Sequence, residues 1–436
     1  MSTTHPMEKG PEGIRFLVED HTLPISVMTM ALPTGSLQDP IGKEGLAYLT
    51  SKMLSRGAGD LSQVQIAQAV ERLGSSLGIA VHRENITVGG DALSRHLNQF
   101  EALVQLILSQ PTFPEEELTK LKRLVMIEHR QLRDNDAGLA QRGFLRRLYR
   151  DHPYGRLMTG TDATISAINR DDVRRFYGEH LRSGNTVCGA AGNLDQARHG
   201  QWVEHTVGSL PPGDEARASV PKTVPPSGVD LRVVNKASRT QTQVFMGQTT
   251  ISARHPDYLP LLVGHTLFGG TFTSRLTQEI REKRGWSYGA YSALSADRHL
   301  GTFMMRFYPA TADTLSAIKV SDDLFQHFVK DGATDDEVDF AKRYLTQNHV
   351  FSMETPEKRL NEIISAHQQG HSRDWLDTFV SRIDAITAAD VNRAVKAHLD
   401  PDRFVVTILG TASALMSEFE TWDRAAGFEV IEHLEV

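Results

Sequence analysis

The second half of the chain contains an arginine and a tyrosine, Arg281 and Tyr288, seven positions apart. Leu276 and Ile280 lie on one face of a predicted helix that Gly285 is suited to end, and a strand after it would bring the two side chains close together. A guanidinium and a phenol placed in this way can stabilise the negative charge that grows on a carbonyl oxygen when water attacks it. The alternative is structural, because charged runs are typical of solvated helix faces and tyrosines in strands are commonly packing residues.

Other chemistry-bearing motifs are missing from the sequence. It contains no Gly-x-Ser-x-Gly elbow, no phosphate loop, no dinucleotide fingerprint, and neither His-Glu-x-x-His nor His-x-x-Glu-His. His367 and His371 have the i, i+4 spacing that places two imidazoles on one helix face. Because Gly370 lies between them, a structural role is favoured over a metal site.

Composition excludes several classes of protein. The net charge of −7 and the absence of a Lys/Arg cluster argue against a nucleic-acid partner. Cys188 is the only cysteine, so neither an intramolecular disulfide nor a cysteine-based metal cluster can form. No apolar run is long enough for a membrane span, and Met1–Gly10 lacks the apolar stretch of a signal peptide. The sequence predicts a cytoplasmic protein with no membrane partner; a periplasmic one remains the alternative if a leader has been removed.

The sequence contains an internal duplication. A segment of the first half recurs in the second: positions 168 and 386, 173 and 391, 180 and 398, and 192 and 410 are each 218 apart. A proline-rich stretch, 211–229, is predicted to be a linker between domains 1–210 and 230–436. Each copy contains a helix followed by a strand, which predicts an α+β fold of two homologous domains, each a mixed or antiparallel sheet packed with helices.

Residues 45–54 resemble the opening helix of the pitrilysin/insulinase family of metallopeptidases. The family's zinc motif reads Gly-x-Ala-His-x-x-Glu-His-Met, whereas this chain reads Gly-Leu-Ala-Tyr-Leu-Thr-Ser-Lys-Met. By this resemblance Tyr48 and Lys52 replace the two zinc-binding histidines, and Ser51 replaces the general-base glutamate. Zinc needs unprotonated donors, so these positions predict a chain that binds no metal. Glu128, in a segment similar to a later family helix, takes the third-ligand position; alternatively it is a polar helix residue paired with Lys52.

The second half resembles the same family more closely. Residues 267–270 and 274–292 are similar to its second signature, which supplies an arginine and a tyrosine, here Arg281 and Tyr288. The looser match at residues 151–155 extends the resemblance over nearly the whole chain.

The resemblance therefore implies a division of labour. In family members with separate chains, one subunit carries the zinc motif and the other carries the Arg/Tyr pair. The chain is expected to be the second kind, inactive alone, in a bacterial heterodimeric peptidase that hydrolyses unfolded peptides. A homologous partner bearing His-x-x-Glu-His would hold the zinc. The alternative is a non-catalytic scaffold or peptide-binding subunit of the same fold.

Overall fold

A computed structural model describes residues 3–10, 13–214, 218–419 and 422–432 of the chain. The strands in chain order are β1 (Thr3–Gly10), β2 (Gly13–Glu19), β3 (Ile25–Leu32), β4 (Gly57–Ala58), β5 (Leu61–Ser62), β6 (Ser76–Val81), β7 (Ile86–Leu93), β8 (Val187–Gly192), β9 (Val229–Asn235), β10 (Gln243–Thr250), β11 (Ala290–Ala296), β12 (Gly301–Phe307), β13 (Val405–Gly410) and β14 (Ala425–Ile431).

Helices lie between groups of these strands. They are α1 (Leu46–Leu54), α2 (Gln63–Arg72), α3 (Leu97–Ser109), α4 (Glu115–Leu132), α5 (Asp136–Tyr149), α6 (Asp162–Ala167), α7 (Arg170–His180), α8 (Gln196–Val207), α9 (Tyr258–Gly269), α10 (Arg275–Thr277), α11 (Thr314–Asp331), α12 (Asp335–Ser352), α13 (Pro356–Gln369), α14 (Trp375–Asp384), α15 (Ala388–His398) and α16 (Ala412–Phe419). Helices α3 to α7 and α11 to α15 each form a run without an intervening strand. A π-helical segment, Gln278–Lys283, continues α10.

The first compact unit contains a six-stranded sheet in the order β1-β2-β8-β3-β7-β6. β2 and β8 are parallel, and the other neighbours are antiparallel. Met28 and Met30 of β3 are buried in a core shared with α1, α3, α7 and α8, whereas Ala31, on the opposite face of the strand, is buried in a second cluster. Leu360 and Ile364 of α13 pack with Phe16 and other apolar residues of the same sheet in this second cluster.

The second unit contains a six-stranded sheet in the order β11-β12-β10-β13-β9-β14. Read from β14, this order corresponds to that of the first sheet, except that β14 runs parallel to β9 whereas β1 runs antiparallel to β2. Its main core is rich in stacked phenylalanines, among them Phe303 and Phe325, whose ring centroids lie 5.4 Å apart. Helix α5 packs against β10 and β13. Phe144 of that helix stacks on Phe245, and Asp136 accepts hydrogen bonds from basic residues of the loop after β9.

The predicted duplication agrees with the structure element by element. Helices α7 and α15 occupy positions 218 apart, as do strands β8 and β13. Both helices begin with a capping box. Lys122 donates to the carbonyl oxygens of Ser166 and Ile168, and Lys342 makes the same two bonds one copy later, to residues 384 and 386. The α+β prediction with a homologous sheet in each half is confirmed.

The compact units differ from the predicted domain boundaries at two segments. Residues 131–155 group with the second unit and residues 352–365 with the first, and the stretch 211–229 divides between residues 219 and 220. The reason is that each sheet has a second face to cover. In each unit the helix that covers this face comes from the other half of the sequence.

Within the described ranges, no helix combines the length and the apolar character needed to cross a membrane. The cytoplasmic location stays a prediction.

Removing the side chain of Leu360 tests the contribution of α13 to the first unit. Leu360 is fully buried, so Leu360→Ala should lower the free energy of unfolding by about 2–5 kcal/mol through lost burial and the cavity left behind. Urea unfolding followed by circular dichroism measures the change. Glu357→Ala, at an exposed position of the same helix, is the matched control, and equal midpoints for the two variants would contradict this packing.

Candidate active site

Helix α1, which carries the positions of the former zinc motif, is held at its N-terminus by a buried carboxylate. Asp39 accepts hydrogen bonds from the backbone N–H groups of Gly45 at 2.8 Å and Ala47 at 2.7 Å. Burial raises the pKa of Asp39 to about 7, against the opposing effect of these two donors. Gly45 has φ +96°, and a Cβ there would lie 2.7 Å from the side chain of Ile165. A glycine is therefore required where the helix begins.

The structure brings Tyr48, Ser51 and Lys52 close together, but Ser51 and Lys52 donate hydrogen bonds to backbone carbonyl oxygens of the same unit. The Lys52 ammonium donates to the carbonyl oxygen of Ile79 at 2.9 Å and lies 5.7 Å from the ring centroid of Tyr48. Ser51 is fully buried, and its hydroxyl donates to the Tyr48 carbonyl oxygen at 2.8 Å. Burial raises the pKa of the Tyr48 phenol, and the charge of nearby Glu128 raises it further.

Glu128 itself is exposed on α4. Among the described residues no ion pair joins it to Lys52, so the predicted pairing of these two side chains is not formed.

These residues do not fit a zinc ion. A protonated lysine has no lone pair to donate, a phenol with a raised pKa stays protonated at neutral pH, and a buried serine hydroxyl cannot act as a carboxylate base. Glu128 is left as one carboxylate, which is too few ligands for a structural or a catalytic zinc site.

The segment around Arg281 is built differently from the predicted α-helix. Helix α10 is a single short turn, and the chain then widens into the π-helical segment before Gly285, which has φ +64°. Leu276 and Ile280 are fully buried, as the sequence predicts, and anchor the segment to the core. The backbone N–H of Trp286 donates to the Ile280 carbonyl oxygen at 3.1 Å, which closes the turn.

Tyr288 lies in the loop that precedes β11 rather than in a strand. The hydroxyl of Ser287 donates to the Gly289 carbonyl oxygen at 2.7 Å and accepts from the backbone N–H of Tyr308 at 2.9 Å, so the loop is tied down on both sides of the tyrosine. The predicted proximity is present: the guanidinium carbon of Arg281 lies 5.2 Å from the Tyr288 ring centroid.

The Arg281–Tyr288 pair is open to solvent. Tyr288 is 87% exposed, and the Arg281 side chain is 30% exposed with its Nε 3.3 Å from a carboxylate oxygen of Glu282. Phe272 was not singled out by sequence reasoning, yet it is 79% exposed and its ring centroid lies 5.5 Å from the same guanidinium. Its only sequence signal is an aromatic residue in a run of glycines and threonines. The guanidinium thus lies near two exposed aromatic rings, and large apolar side chains in one exposed patch commonly mark a contact site.

The spacing of His367 and His371 does not produce a pair of metal ligands. Helix α13 ends at Gln369, and Gly370 then adopts φ +87°. His371 leaves the helix and stacks on Trp375, with ring centroids 3.6 Å apart and planes 4° apart. The structural interpretation of these two histidines agrees with this arrangement.

The fold and the site define a class: a duplicated α+β chain with a metallopeptidase-type helix that has no metal ligands, and a separate Arg/Tyr segment. Comparison with known proteins identifies the family. The model described as "Insulinase (Peptidase family M16)" matches residues 15–162, and "Peptidase M16 inactive domain" matches residues 167–345. The chain belongs to this M16 insulinase family.

Relatives within the family carry contrasting names. An uncharacterized zinc protease of Mycobacterium bovis is 26% identical over 407 residues, which are 92% of each chain. A protein of Helicobacter pylori named a non-peptidase homolog is 22% identical over 384 residues, 88% of each chain. The structure of a peptidase M16 inactive domain from Pseudomonas fluorescens superposes with a TM-score of 0.86 and 26% identity, covering 94% of this chain and 98% of that one.

The carboxylate of Asp39 can be tested as the anchor of α1. Asp39→Ala leaves two buried N–H groups without an acceptor, so the free energy of unfolding should fall by about 1–3 kcal/mol. Thermal or urea unfolding measures the loss. Asp60→Ala removes an exposed carboxylate near the other end of α1 and should change little; equal effects of the two substitutions would contradict the anchoring role.

Metal analysis tests the degenerate half-site. After incubation with zinc and extensive dialysis, the isolated chain should retain far less than one equivalent, because Tyr48, Ser51 and Lys52 provide no zinc donors. A family member with an intact His-x-x-Glu-His motif, treated in parallel, is the control. One tightly held equivalent that is lost in Glu128→Ala would overturn this interpretation of α1.

Proposed function

We propose that the chain is the non-zinc subunit of a two-chain metallopeptidase that hydrolyses unfolded peptides, and that Arg281 and Tyr288 complete an active site whose zinc is held by a homologous partner. The proposal rests on one contrast within the chain. The family's metal helix is present without ligands, while the Arg281–Tyr288 pair is intact and exposed.

Exposure of the pair favours a role in contact with another molecule. Tyr288 and Phe272 leave most of their ring surface in water, which costs the isolated chain hydrophobic free energy that burial would recover. A purely structural tyrosine would instead be packed, as Tyr154 is at 2% exposure. The hydrogen bonds of Ser287 hold the backbone of this loop in place, which lowers the entropic cost of ordering Tyr288 on binding.

The chemistry of the two side chains suits peptide hydrolysis. The Tyr288 phenol can donate a hydrogen bond to the oxygen of a peptide carbonyl as negative charge develops there. The Arg281 guanidinium presents several donors in a fixed plane, which suits hydrogen bonds to peptide carbonyl oxygens, and its contacts with the rings of Phe272 and Tyr288 limit its freedom. Neither group supplies the nucleophile, so the chain alone is expected to be inactive.

Kinetics of a reconstituted complex test the proposal. With a zinc-bearing partner from the same source, Tyr288→Phe should lower kcat by about a hundredfold or more, since it removes one hydrogen-bond donor to the developing oxyanion. The readout is cleavage of an internally quenched peptide. Tyr344→Phe, which removes the same hydroxyl from a partly exposed position on α12, is the matched control and should leave kcat unchanged.

A second arm separates catalysis from scaffolding. Arg281→Ala should lower kcat/KM while the complex still assembles by size-exclusion chromatography, and Arg343→Ala, at an exposed position on α12, should not. If both pair variants assemble and cleave like the wild type, the pair has no catalytic role and the chain is a scaffold or peptide-binding subunit.

A further inference from the structure

A second concave site lies in the second unit, away from the Arg281 segment. It is a pocket of about 570 Å³ between the start of α9 and the chain that joins α13 to α14. Leu259 and Ile386 are among the apolar residues that line it. This volume is in the range of sites that hold a small ligand or a few residues of peptide. We call it the basic pocket, for the reason that follows.

Every ionisable side chain that lines the basic pocket is basic. They are Arg254, His255, His371 and Arg382. This local balance is opposite to that of the chain, which has a net charge of −7. A cavity lined by one sign of charge attracts ligands of the other sign.

Nearby carboxylates do not neutralise the whole set. Asp374 pairs with Arg382 at 3.1 Å. Asp257 is engaged by Arg393 at 2.8 Å and by His398 at 2.7 Å, and it also lies 4.0 Å from Nδ1 of His255. The guanidinium of Arg254 forms no hydrogen bond or ion pair with any described residue.

Gly370 allows guanidinium groups to gather at this edge of the pocket. A Cβ on Gly370 would lie 2.8 Å from Cδ of Arg254 and 3.1 Å from Nη1 of Arg298. Two positively charged side chains thus pack against one bare Cα. The Arg298 guanidinium donates to the carbonyl oxygen of Gln368 at 3.0 Å, so Arg254 is the one of the two that is left to face a ligand.

The pocket also has an aromatic wall with an unused polar atom. His371 stacks on Trp375, and the Arg382 guanidinium carbon lies 5.2 Å from the Trp375 ring centroid. Burial, and then the charge of Arg382, lower the pKa of His371 to about 4, so the imidazole is neutral at pH 7. Its Nε2 is buried without a hydrogen-bond partner in the described structure, which is costly unless a ligand supplies one.

We propose that the basic pocket binds the C-terminal carboxylate of a peptide, with Arg254 as its main partner and the last apolar side chain against Leu259 and Ile386. The identification of a peptide rests on the proposed function. A guanidinium without a partner matches a carboxylate in charge and geometry, and the apolar lining matches a side chain beside it. A stacked nucleobase fits less well, because His371 and Arg382 already occupy much of the Trp375 ring.

Fluorescence anisotropy on the full chain tests the proposal without any zinc partner. The probe is the peptide Ala-Ala-Ala-Leu-Leu with fluorescein on its N-terminus, made once with a free C-terminal carboxylate and once as the amide. The free acid should bind about tenfold or more tightly than the amide, as expected for loss of a charge-assisted hydrogen bond. Arg254→Gln should weaken the acid by a similar factor and make acid and amide bind equally.

Arg72→Gln is the control for the change in net charge, since Arg72 is exposed on α2 in the first unit, and it should preserve the preference for the acid. Equal binding of acid and amide to the wild type, or no binding of either, overturns the proposal. Displacement of both peptides alike by inorganic phosphate also overturns it, in favour of a general anion site. The two tests are independent. If the peptides do not bind as expected, the effect of Tyr288→Phe on kcat can still be observed, and if Tyr288→Phe has no effect on kcat, the preference for the free acid can still be measured.

Discussion

The hydrogen bond from the Lys52 ammonium to the carbonyl oxygen of Ile79 decides what the first unit can do. It places a fixed positive charge on the helix face where this family holds a metal, and it does so with the helix start anchored by Asp39. A cation there repels another cation, so restoring a single histidine would not restore a site. The role proposed for Arg281 and Tyr288 therefore takes its nucleophile from a zinc ion on a partner chain.

The duplicated fold accommodates a helix α1 without zinc ligands in one half and an exposed Arg281–Tyr288 pair in the other. Each unit covers the two faces of its own sheet, in part with a helix drawn from the other half of the sequence, so the exposed side chains of Phe272 and Tyr288 are not needed to fill the second core. Ser51 is buried with its hydroxyl satisfied by its own helix, which makes the altered α1 compatible with tight packing. Stability and function are separable in such an arrangement.

Much of the fold and of the Arg281–Tyr288 site could be predicted from the sequence. The features that could not be predicted depend on contacts between residues far apart in the chain. The repeat at 218 positions predicted two homologous α+β copies because helix caps and apolar periodicity are local signals. The packing of α5 on the second unit and of α13 on the first depends on contacts distant in sequence, so no local pattern of caps or apolar periodicity predicts it. Likewise, the sequence predicted that Arg281 and Tyr288 come together, but not the π-helical turn or the ring of Phe272 beside the guanidinium. The basic pocket was missed because its residues are far apart in the chain.

In the proposed complex, Tyr288 lies beside a metal ion held by a different polypeptide. Cys188 is buried, so Tyr288→Cys provides a single accessible thiol for a nitroxide spin label. The labelled chain is mixed with the homologous partner that bears His-x-x-Glu-His. The partner's site is loaded with zinc in one sample and with paramagnetic Mn²⁺ in the other. If Tyr288 lies beside the partner's metal, the nitroxide spectrum should broaden strongly in the manganese sample and not in the zinc sample. Identical spectra from the two complexes, with assembly verified, would contradict it.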